Sequence, residues 1–131
     1  MVFKYISLHF SMTKNDQTFD LANSLTTNKF LCGVLKLRGK VPNPKNVQSR
    51  LFLCCDFCQD SYVNSTKMPA LCEIVFKPNG TINTSFSNIT WLHILRPNIA
   101  SVRLYLCTEE GTLFSLEEGD LRCSLLFVHS P

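Results

Sequence analysis

The chain has 131 residues, of which 45% are hydrophobic and 18% charged, and its formal net charge is +3. This length and composition predict one globular domain with a sizeable core and exclude a disordered chain. No apolar run approaches the roughly 18 residues of a membrane-spanning helix. The N-terminus also lacks the apolar core and small-residue cleavage site of a signal peptide. We therefore expect a single domain over residues 1–131, made and kept inside a cell and without membrane contact.

Short apolar segments separated by polar, Pro- or Gly-containing breaks run through the first three quarters of the chain, a pattern typical of β-strands joined by turns. These strand-like segments are residues 2–10, 30–38, 49–57, 68–77, 82–86 and 89–95. Residues 1–29 are thus interpreted as an N-terminal strand followed by a polar segment. The polar stretch 11–28 predicts a short helix or an irregular edge segment, and residues 59–67 predict a loop.

Individual segments carry further information about their position in a sheet. The segment 49–57 is apolar on both faces, which predicts a central strand. Alternation in 30–38 predicts that Leu31, Gly33, Leu35 and Leu37 share one face. The tripeptide at 78–80, Pro-Asn-Gly, predicts a tight turn.

The last third of the chain carries the clearest strand pattern, with period two over residues 99–107 and again from 121 onward. The apolar face of the first segment consists of Ala100, Val102, Leu104 and Leu106, and that of the second of Leu121, Cys123, Leu125 and Phe127. A turn at 108–111 follows the first segment, because Gly111 can adopt a positive φ. Residues 112–116 predict a short extended piece and 117–120 a loop. We expect the two strands to form a C-terminal hairpin.

Together these segments predict an all-β fold, since seven or eight short strands alternate with turns and no helical periodicity is present. We expect an antiparallel β-sandwich of about eight strands. A single jelly roll is the specific prediction, with an immunoglobulin-like arrangement as the alternative.

The basic residues are unevenly distributed along the chain. Six of them and no acid occur between positions 29 and 50, namely Lys29, Lys36, Arg38, Lys40, Lys45 and Arg50. Within this stretch Lys36, Arg38, Lys40 and Lys45 form a candidate basic patch that faces DNA or an acidic neighbouring subunit. A solvated loop of the same composition is the alternative interpretation.

Motifs for catalysis or metal binding are weak. Cys54, Cys55 and Cys58 have a spacing found in zinc sites, but no second CxxC or HxxxH completes a ligand set. The Glu109–Glu110 and Glu117–Glu118 pairs lie in turn-like segments, and no nucleophile motif or glycine-rich phosphate loop is present. We therefore predict no enzymatic activity, no metal and no cofactor, and interpret the seven cysteines as reduced core residues.

Three blocks of the chain resemble, in the same order, small proteins encoded by Polinton/Maverick elements and adintoviruses. Residues 30–37 (FLCGVLKL) resemble the family strand W-E-V-G-L-x-x-L-x-x-P, and residues 56–75 (DFCQDSYVNSTKMPALCEIV) are similar to D-I-x-x-P-x-x-V-G-x-x-x-x-P-L-L-R-x-V. Residues 101–128 resemble the closing S-I-x-I-x-I-x-D-x-x-G-x-x-x-x-F-x-x-G-x-x-x-x-x-L-H-F. The family-like positions are Gly33, Pro69, Arg103, Gly111, Phe114 and Gly119. Lys29, Ser61, Asn64 and Glu73 stand where the family has Trp, Pro, Gly and Arg.

This resemblance implies a single jelly-roll minor capsid protein, the penton-like protein, of which five copies close an icosahedral vertex of the virion. The implied partners are copies of itself in a homopentamer and the major capsid protein of the same virus or element, with non-specific DNA contact as a further expectation. Assembly would take place inside the host cell, in the cytoplasm or nucleus, without secretion. Two alternatives remain open. One is a secreted or cell-surface β-sandwich binding module that uses the sequons at Asn64, Asn83 and Asn88, and the other is a small nucleic-acid-binding β domain.

Overall fold

The computed structural model describes residues 5–14, 16–27, 29–40, 50–63, 65–86, 88–113 and 120–129. Within these ranges the chain forms eleven strands and no helix, which confirms the all-β prediction. The strands are β1 (Tyr5–Met12), β2 (Asp16–Thr26), β3 (Phe30–Lys40), β4 (Leu51–Cys55), β5 (Ser61–Val63), β6 (Thr66–Met68), β7 (Ala70–Ile74), β8 (Thr81–Ser85), β9 (Leu92–His93), β10 (Asn98–Thr108) and β11 (Asp120–His129). The described part of the chain accordingly contains no helix with the length and apolarity of a membrane span.

Two antiparallel sheets make up the body of the molecule, which confirms the predicted β-sandwich. Sheet A has the strand order β1-β11-β3-β8, with β9 also paired to β3. Sheet B has the order β2-β10-β4-β7, and β5 and β6 form a separate two-stranded hairpin.

The two sheets enclose one apolar core. Sheet A contributes the predicted buried face of β11, and all four of these residues are at most 2% exposed: Leu121, Cys123, Leu125 and Phe127. Sheet B contributes Leu53 and Leu104, which are fully buried. The rings of Phe57 and Phe127 stack with their centroids 5.8 Å apart. Burial of each leucine or phenylalanine side chain in this core contributes about 1.5–3 kcal/mol to the free energy of folding.

The long-range strand pairs are nested in the sequence: each pair encloses the next, as in one long antiparallel ribbon. From the outermost to the innermost, the paired residues are Tyr5–Val128, Asp16–Tyr105, Lys40–Thr81 and Leu51–Ile74. The strands β1 to β4 alternate between sheets A and B as the chain proceeds. The ribbon is therefore rolled up, so that β11 pairs with β3 as well as with β1, and β10 pairs with β4 as well as with β2.

The predicted C-terminal hairpin is wrong, because β10 lies in sheet B and β11 in sheet A. The turn after β10 is present as expected: Gly111 has a φ of 85°, and its N–H donates to the Thr108 carbonyl at 2.9 Å. Beyond the turn, Leu113 forms an isolated bridge with Cys107, while residues 114–116 of the predicted extended piece and 117–119 of the loop lie outside the described residues. Alternation along each strand reveals which face is buried but not which strand lies beside it.

The polar stretch 11–28 lies at a sheet edge, as one of the two predictions has it, but most of it forms the regular strand β2 in place of a helix or an irregular segment. Phe19, Leu21 and Leu25 are its partly buried side chains and pack against the core. Thr18 precedes Phe19 and Asp20 follows it, and both are exposed. An edge strand of an antiparallel sheet keeps one face in solvent, so it needs few apolar residues and resembles a loop in sequence.

A bulge in β3 overturns part of its predicted face. Ser124 of β11 pairs with Lys36 of β3, but the next residue, Leu125, pairs with Val34. Leu35 therefore has no partner opposite it. Leu35 is consequently 39% exposed whereas Val34 is 2% exposed. An extra residue in one strand inverts the alternation on one side of the bulge.

The predicted loop 59–67 instead contains the β5–β6 hairpin, which packs on the outer face of sheet B. Val63 and Met68 of the hairpin contact Phe52, Cys54 and Cys107 in a second, smaller apolar cluster. Strand β4 is thus covered on both faces, and all five of its residues are buried. The central position predicted for this strand is confirmed.

Candidate functional site

The predicted basic residues of β3 lie on the outer face of sheet A. Leu37 is fully buried, and its neighbours Lys36 and Arg38 occupy alternate positions that face the other way, followed by Lys40. Arg38 and Lys40 are exposed and Lys36 is half-buried. These three side chains share one surface because successive residues of a strand point to opposite faces. Lys45, the fourth predicted residue, lies outside the described residues.

Strands β11 and β1 add residues that the sequence analysis missed. Arg122 pairs with Arg38, and Ser124 pairs with Lys36. On the other side of β11, His9 pairs with Ser124. We define the basic face as Lys36, Arg38, Lys40, Arg122 and His9. A signal for Arg122 was present, since it alternates with the buried residues of β11, but only the β3–β11 pairing places it beside Arg38.

A shallow, open pocket of about 230 Å³ lies at the centre of the basic face. Its lining consists of His9, Phe10, Ser11, Lys36, Arg38, Arg122, Cys123 and Ser124. His9 Nδ1 lies 2.8 Å from Ser124 Oγ, which holds the imidazole at the pocket wall. Cationic groups and hydroxyl groups are the donors that proteins use for oxyanions.

The positive charges of the basic face are poorly balanced. Arg122 Nε lies 3.3 Å from Asp120 Oδ2 in an exposed ion pair. Among the described residues, Lys36, Arg38 and Lys40 take part in no salt bridge. Because Arg38 and Arg122 are directly opposite each other, their like charges destabilise this part of the sheet. An anion bound between them would relieve that repulsion.

The family-like positions that the structure describes do not converge on this face and have structural roles. A Cβ on Gly33 would clash with Ile89 Cγ2 and lie 3.1 Å from the Thr90 carbonyl oxygen, because the chain crosses over sheet A there. The carbonyl of Pro69 accepts a hydrogen bond from the Cys55 N–H at 3.3 Å. Gly111 provides the positive φ of the turn described above. Phe114 and Gly119 lie outside the described residues.

Arg103, another family-like position, connects three segments on the outer side of sheet B. Its guanidinium donates to both carboxylate oxygens of Asp16, at 2.9 and 2.7 Å, and lies 4.7 Å from the Tyr105 ring centroid. Its backbone N–H donates to Asp56 Oδ1 at 3.1 Å. The hydrogen bonds from Arg103 lower the pKa of Asp16, and burial raises the pKa of Tyr105. The arrangement holds β2, β10 and the residues after β4 together.

The cysteine run considered as a zinc motif is divided between two apolar clusters. Cys55 and Cys58 lie in the main core with Cys32, whereas Cys54 lies under the β5–β6 hairpin with Cys107. No group of three or more His, Cys, Asp or Glu residues in the described part of the chain has an arrangement that could hold a metal ion. All seven cysteines are free thiols and six are buried. Burial raises the pKa of core thiols such as Cys123, to about 12, so they stay protonated and act as small apolar side chains.

Of the two glutamate pairs considered for acid–base chemistry, the described residues include Glu109 and Glu110. Glu109 lies in the turn after β10, with a carboxylate oxygen 3.9 Å from Arg50 Nη1, and Glu110 is exposed. Glu117 and Glu118 lie outside the described ranges.

Two comparisons with known sequences return no match. No protein-family model matches the sequence. A search of curated proteins likewise finds no significant match. Fold, surface charge and the sequence blocks described above therefore carry the functional proposal.

Proposed function

We propose that this protein is a structural capsid subunit, a single jelly-roll, penton-like minor capsid protein of the kind encoded by Polinton/Maverick elements and adintoviruses. The observation that carries the proposal is the nested ribbon of strand pairs. Jelly rolls consist of eight strands in two packed sheets and recur in viral capsid proteins. The orders β1-β11-β3-β8 and β2-β10-β4-β7 support this assignment, with β9 and the β5–β6 hairpin as additions to the eight-stranded body.

A vertex subunit needs two different contact patches, because a closed ring of five copies is built from head-to-tail contacts. Exposed apolar side chains on separate elements supply candidates for these patches: Tyr62, Val75, Leu95 and Leu113, which are 47–73% exposed. The major capsid protein of the same virus or element would be the second partner. The protein would then reside in the virion after assembly in the cytoplasm or nucleus of the host cell.

The cysteines favour this proposal over a secreted or cell-surface binding module. Small secreted domains commonly pair their cysteines in disulfides that compensate for a limited core. Here six of the seven free thiols are buried, and they fill apolar space within the sandwich or under the hairpin. This use of cysteine suits a protein that assembles in a reducing compartment.

The mass of the purified protein in solution tests the proposal. Light scattering should detect a particle of five times 14.9 kDa, either for the protein alone or after mixing with the major capsid protein encoded by the same genome. Negative-stain images of that particle should contain fivefold rings. A protein that remains monomeric at every concentration, and does not bind the major capsid protein, would contradict the proposal.

A further inference from the structure

We infer that the basic face of sheet A binds the phosphate backbone of nucleic acid without sequence preference. This property belongs to one surface of the folded chain and does not depend on the capsid proposal. If the protein does line a capsid vertex, a packaged genome is the nucleic acid that this surface would contact.

The spacing of the cations fits a polymer of phosphates better than a single anion. Lys36, Arg38 and Lys40 follow one another on the same face of β3, about 6.6 Å apart. Arg122 lies one strand away from Arg38, at about 4.8 Å. A lone phosphate in the central pocket reaches Lys36, Arg38 and Arg122, but only an extended anion also reaches Lys40 at the end of the row.

Uncharged polar side chains flank the cations on both sides and complete two rows across sheet A. One row consists of His9, Ser124, Lys36 and Ser85, and the next consists of Ser11, Arg122, Arg38 and Asn83. Lysine, arginine, serine and asparagine are the side chains that commonly contact phosphate and sugar oxygens. A carboxylate, Asp120, occurs next to Lys40 at the margin of the patch and forms an exposed ion pair with Arg122, so the positive charge at the centre is carried mainly by Lys36 and Arg38.

The same geometry explains why the binding should not depend on sequence. Reading of bases requires an element that enters a groove or aromatic rings on which bases stack. The aromatic rings among the pocket residues are Phe10, which is only 8% exposed, and the exposed imidazole of His9, and one exposed ring does not form a row on which successive bases stack. The remaining side chains extend from a sheet surface toward backbone phosphates, which single and double strands both present.

Fluorescence anisotropy with labelled single- and double-stranded oligonucleotides of mixed sequence tests the inference across about 50 to 200 mM salt. The double variant Arg38→Gln/Arg122→Gln should bind at least about tenfold more weakly than wild type at low salt. Its plot of log affinity against log salt concentration should be shallower by roughly 1.4–1.8, since each lost phosphate contact removes about 0.7–0.9 from the slope. The matched control, Lys29→Gln/Lys67→Gln, neutralises two exposed cations elsewhere and should bind within about twofold of wild type.

Failure of the wild-type protein to bind either oligonucleotide, or an equal loss in the control variant, would overturn the inference. Inorganic phosphate and polyglutamate serve as competing anions. If inorganic phosphate displaces the oligonucleotide at an equal concentration of phosphate groups, or if polyglutamate competes as well as nucleic acid at equal charge, the assignment to nucleic acid is wrong.

Unfolding measurements on the same variants separate a binding defect from a folding defect. The Arg38→Gln/Arg122→Gln protein should be close to wild type in stability, because the substitution removes a like-charge pair together with the exposed and weak Arg122–Asp120 ion pair. Should it fail to fold, Lys36→Gln provides a second test on the same pocket. The solution mass of each variant separates this inference from the capsid proposal. Pentameric rings that do not bind nucleic acid would reject the nucleic-acid inference and leave the capsid proposal standing.

Discussion

At the scale of single residues, the ion pair between Arg103 and Asp16 joins the neighbouring strands β10 and β2. Both oxygens of the carboxylate accept hydrogen bonds from the guanidinium, and Arg103 and Asp16 are 43% and 32% exposed at their side chains. A bidentate pair of this kind is stronger than a single surface salt bridge, but solvent screening keeps its contribution small.

The pKa of Asp16 makes this contribution depend on pH. Because the hydrogen bonds from Arg103 lower the folded-state pKa below 3.8, the pair stabilises the protein above that pH and its contribution is lost as the pH falls through the folded-state value. Asp16→Asn should therefore reduce the free energy of unfolding by about 0.5–1 kcal/mol at pH 7, and by less at about pH 3. Urea unfolding at both pH values measures the difference.

Asp20→Asn is the matched control for this prediction, because Asp20 lies on the same strand and is exposed. It should leave the free energy of unfolding nearly unchanged at both pH values. A loss for Asp16→Asn that is the same at pH 7 and pH 3 would contradict an electrostatic origin.

The basic face shows how far residue-level reasoning reaches. The alternation of β3 is enough to place Lys36, Arg38 and Lys40 on one surface. His9 and Arg122 were missed because they are distant in the sequence, and hydrogen bonding of β11 to both β1 and β3 is what brings them together. A charge cluster assembled from three strands cannot be recognised until the strand order is known.

At the scale of elements, the β5–β6 hairpin determines how sheet B is protected from water. Met68 is 4% exposed and packs on Phe52 and Cys54 in the smaller cluster, whereas Tyr62 on the same hairpin is 73% exposed. Without the hairpin, the outer face of β4 would present these apolar side chains to solvent.

Truncation of the hairpin side chains tests this role. Met68→Ala should lower the free energy of unfolding by about 2 kcal/mol, since it leaves a cavity against the sheet. Tyr62→Ala should change it by less than about 0.5 kcal/mol. Urea unfolding gives both values, and equal effects of the two substitutions would show that the hairpin does not cover sheet B.

Strands could be predicted where their buried residues alternate or run continuously through the core, and could not be predicted where the sequence has no such pattern. The buried faces of β4 and β11 follow directly from their apolar residues. The strand β2 was missed because only its inner face is apolar, and β5 and β6 because three-residue strands are too short to show a period. The Leu35 bulge also has no local signal, since an extra residue is defined only relative to the partner strand.

At the scale of the whole molecule, the nesting of strand pairs links topology to folding. The sequence predicted two layers, but the separation of β10 and β11 into different sheets depends on how the entire ribbon is rolled. The innermost pair, β4–β7, closes the short span between Leu51 and Ile74, whereas β1–β11 joins Tyr5 to Val128 across nearly the whole chain. The longer span is more than two doublings of the shorter one. Each doubling of loop length adds about 0.6 kcal/mol to the entropic cost of closing the loop.

We therefore expect the ribbon to form from its inner end outward, on the millisecond-to-second scale of β-sandwiches. Leu71→Ala in β7 and Leu125→Ala in β11 remove the same atoms from positions that are 1% and 0% exposed. The first substitution should mainly slow folding, and the second should mainly accelerate unfolding, because contacts of β11 form after the transition state. Stopped-flow fluorescence can follow both through Trp91, the single tryptophan, whose ring packs against Gly33 of sheet A. The opposite assignment of the two effects would mean that the terminal strands pair first and that the ribbon rolls from its outer end.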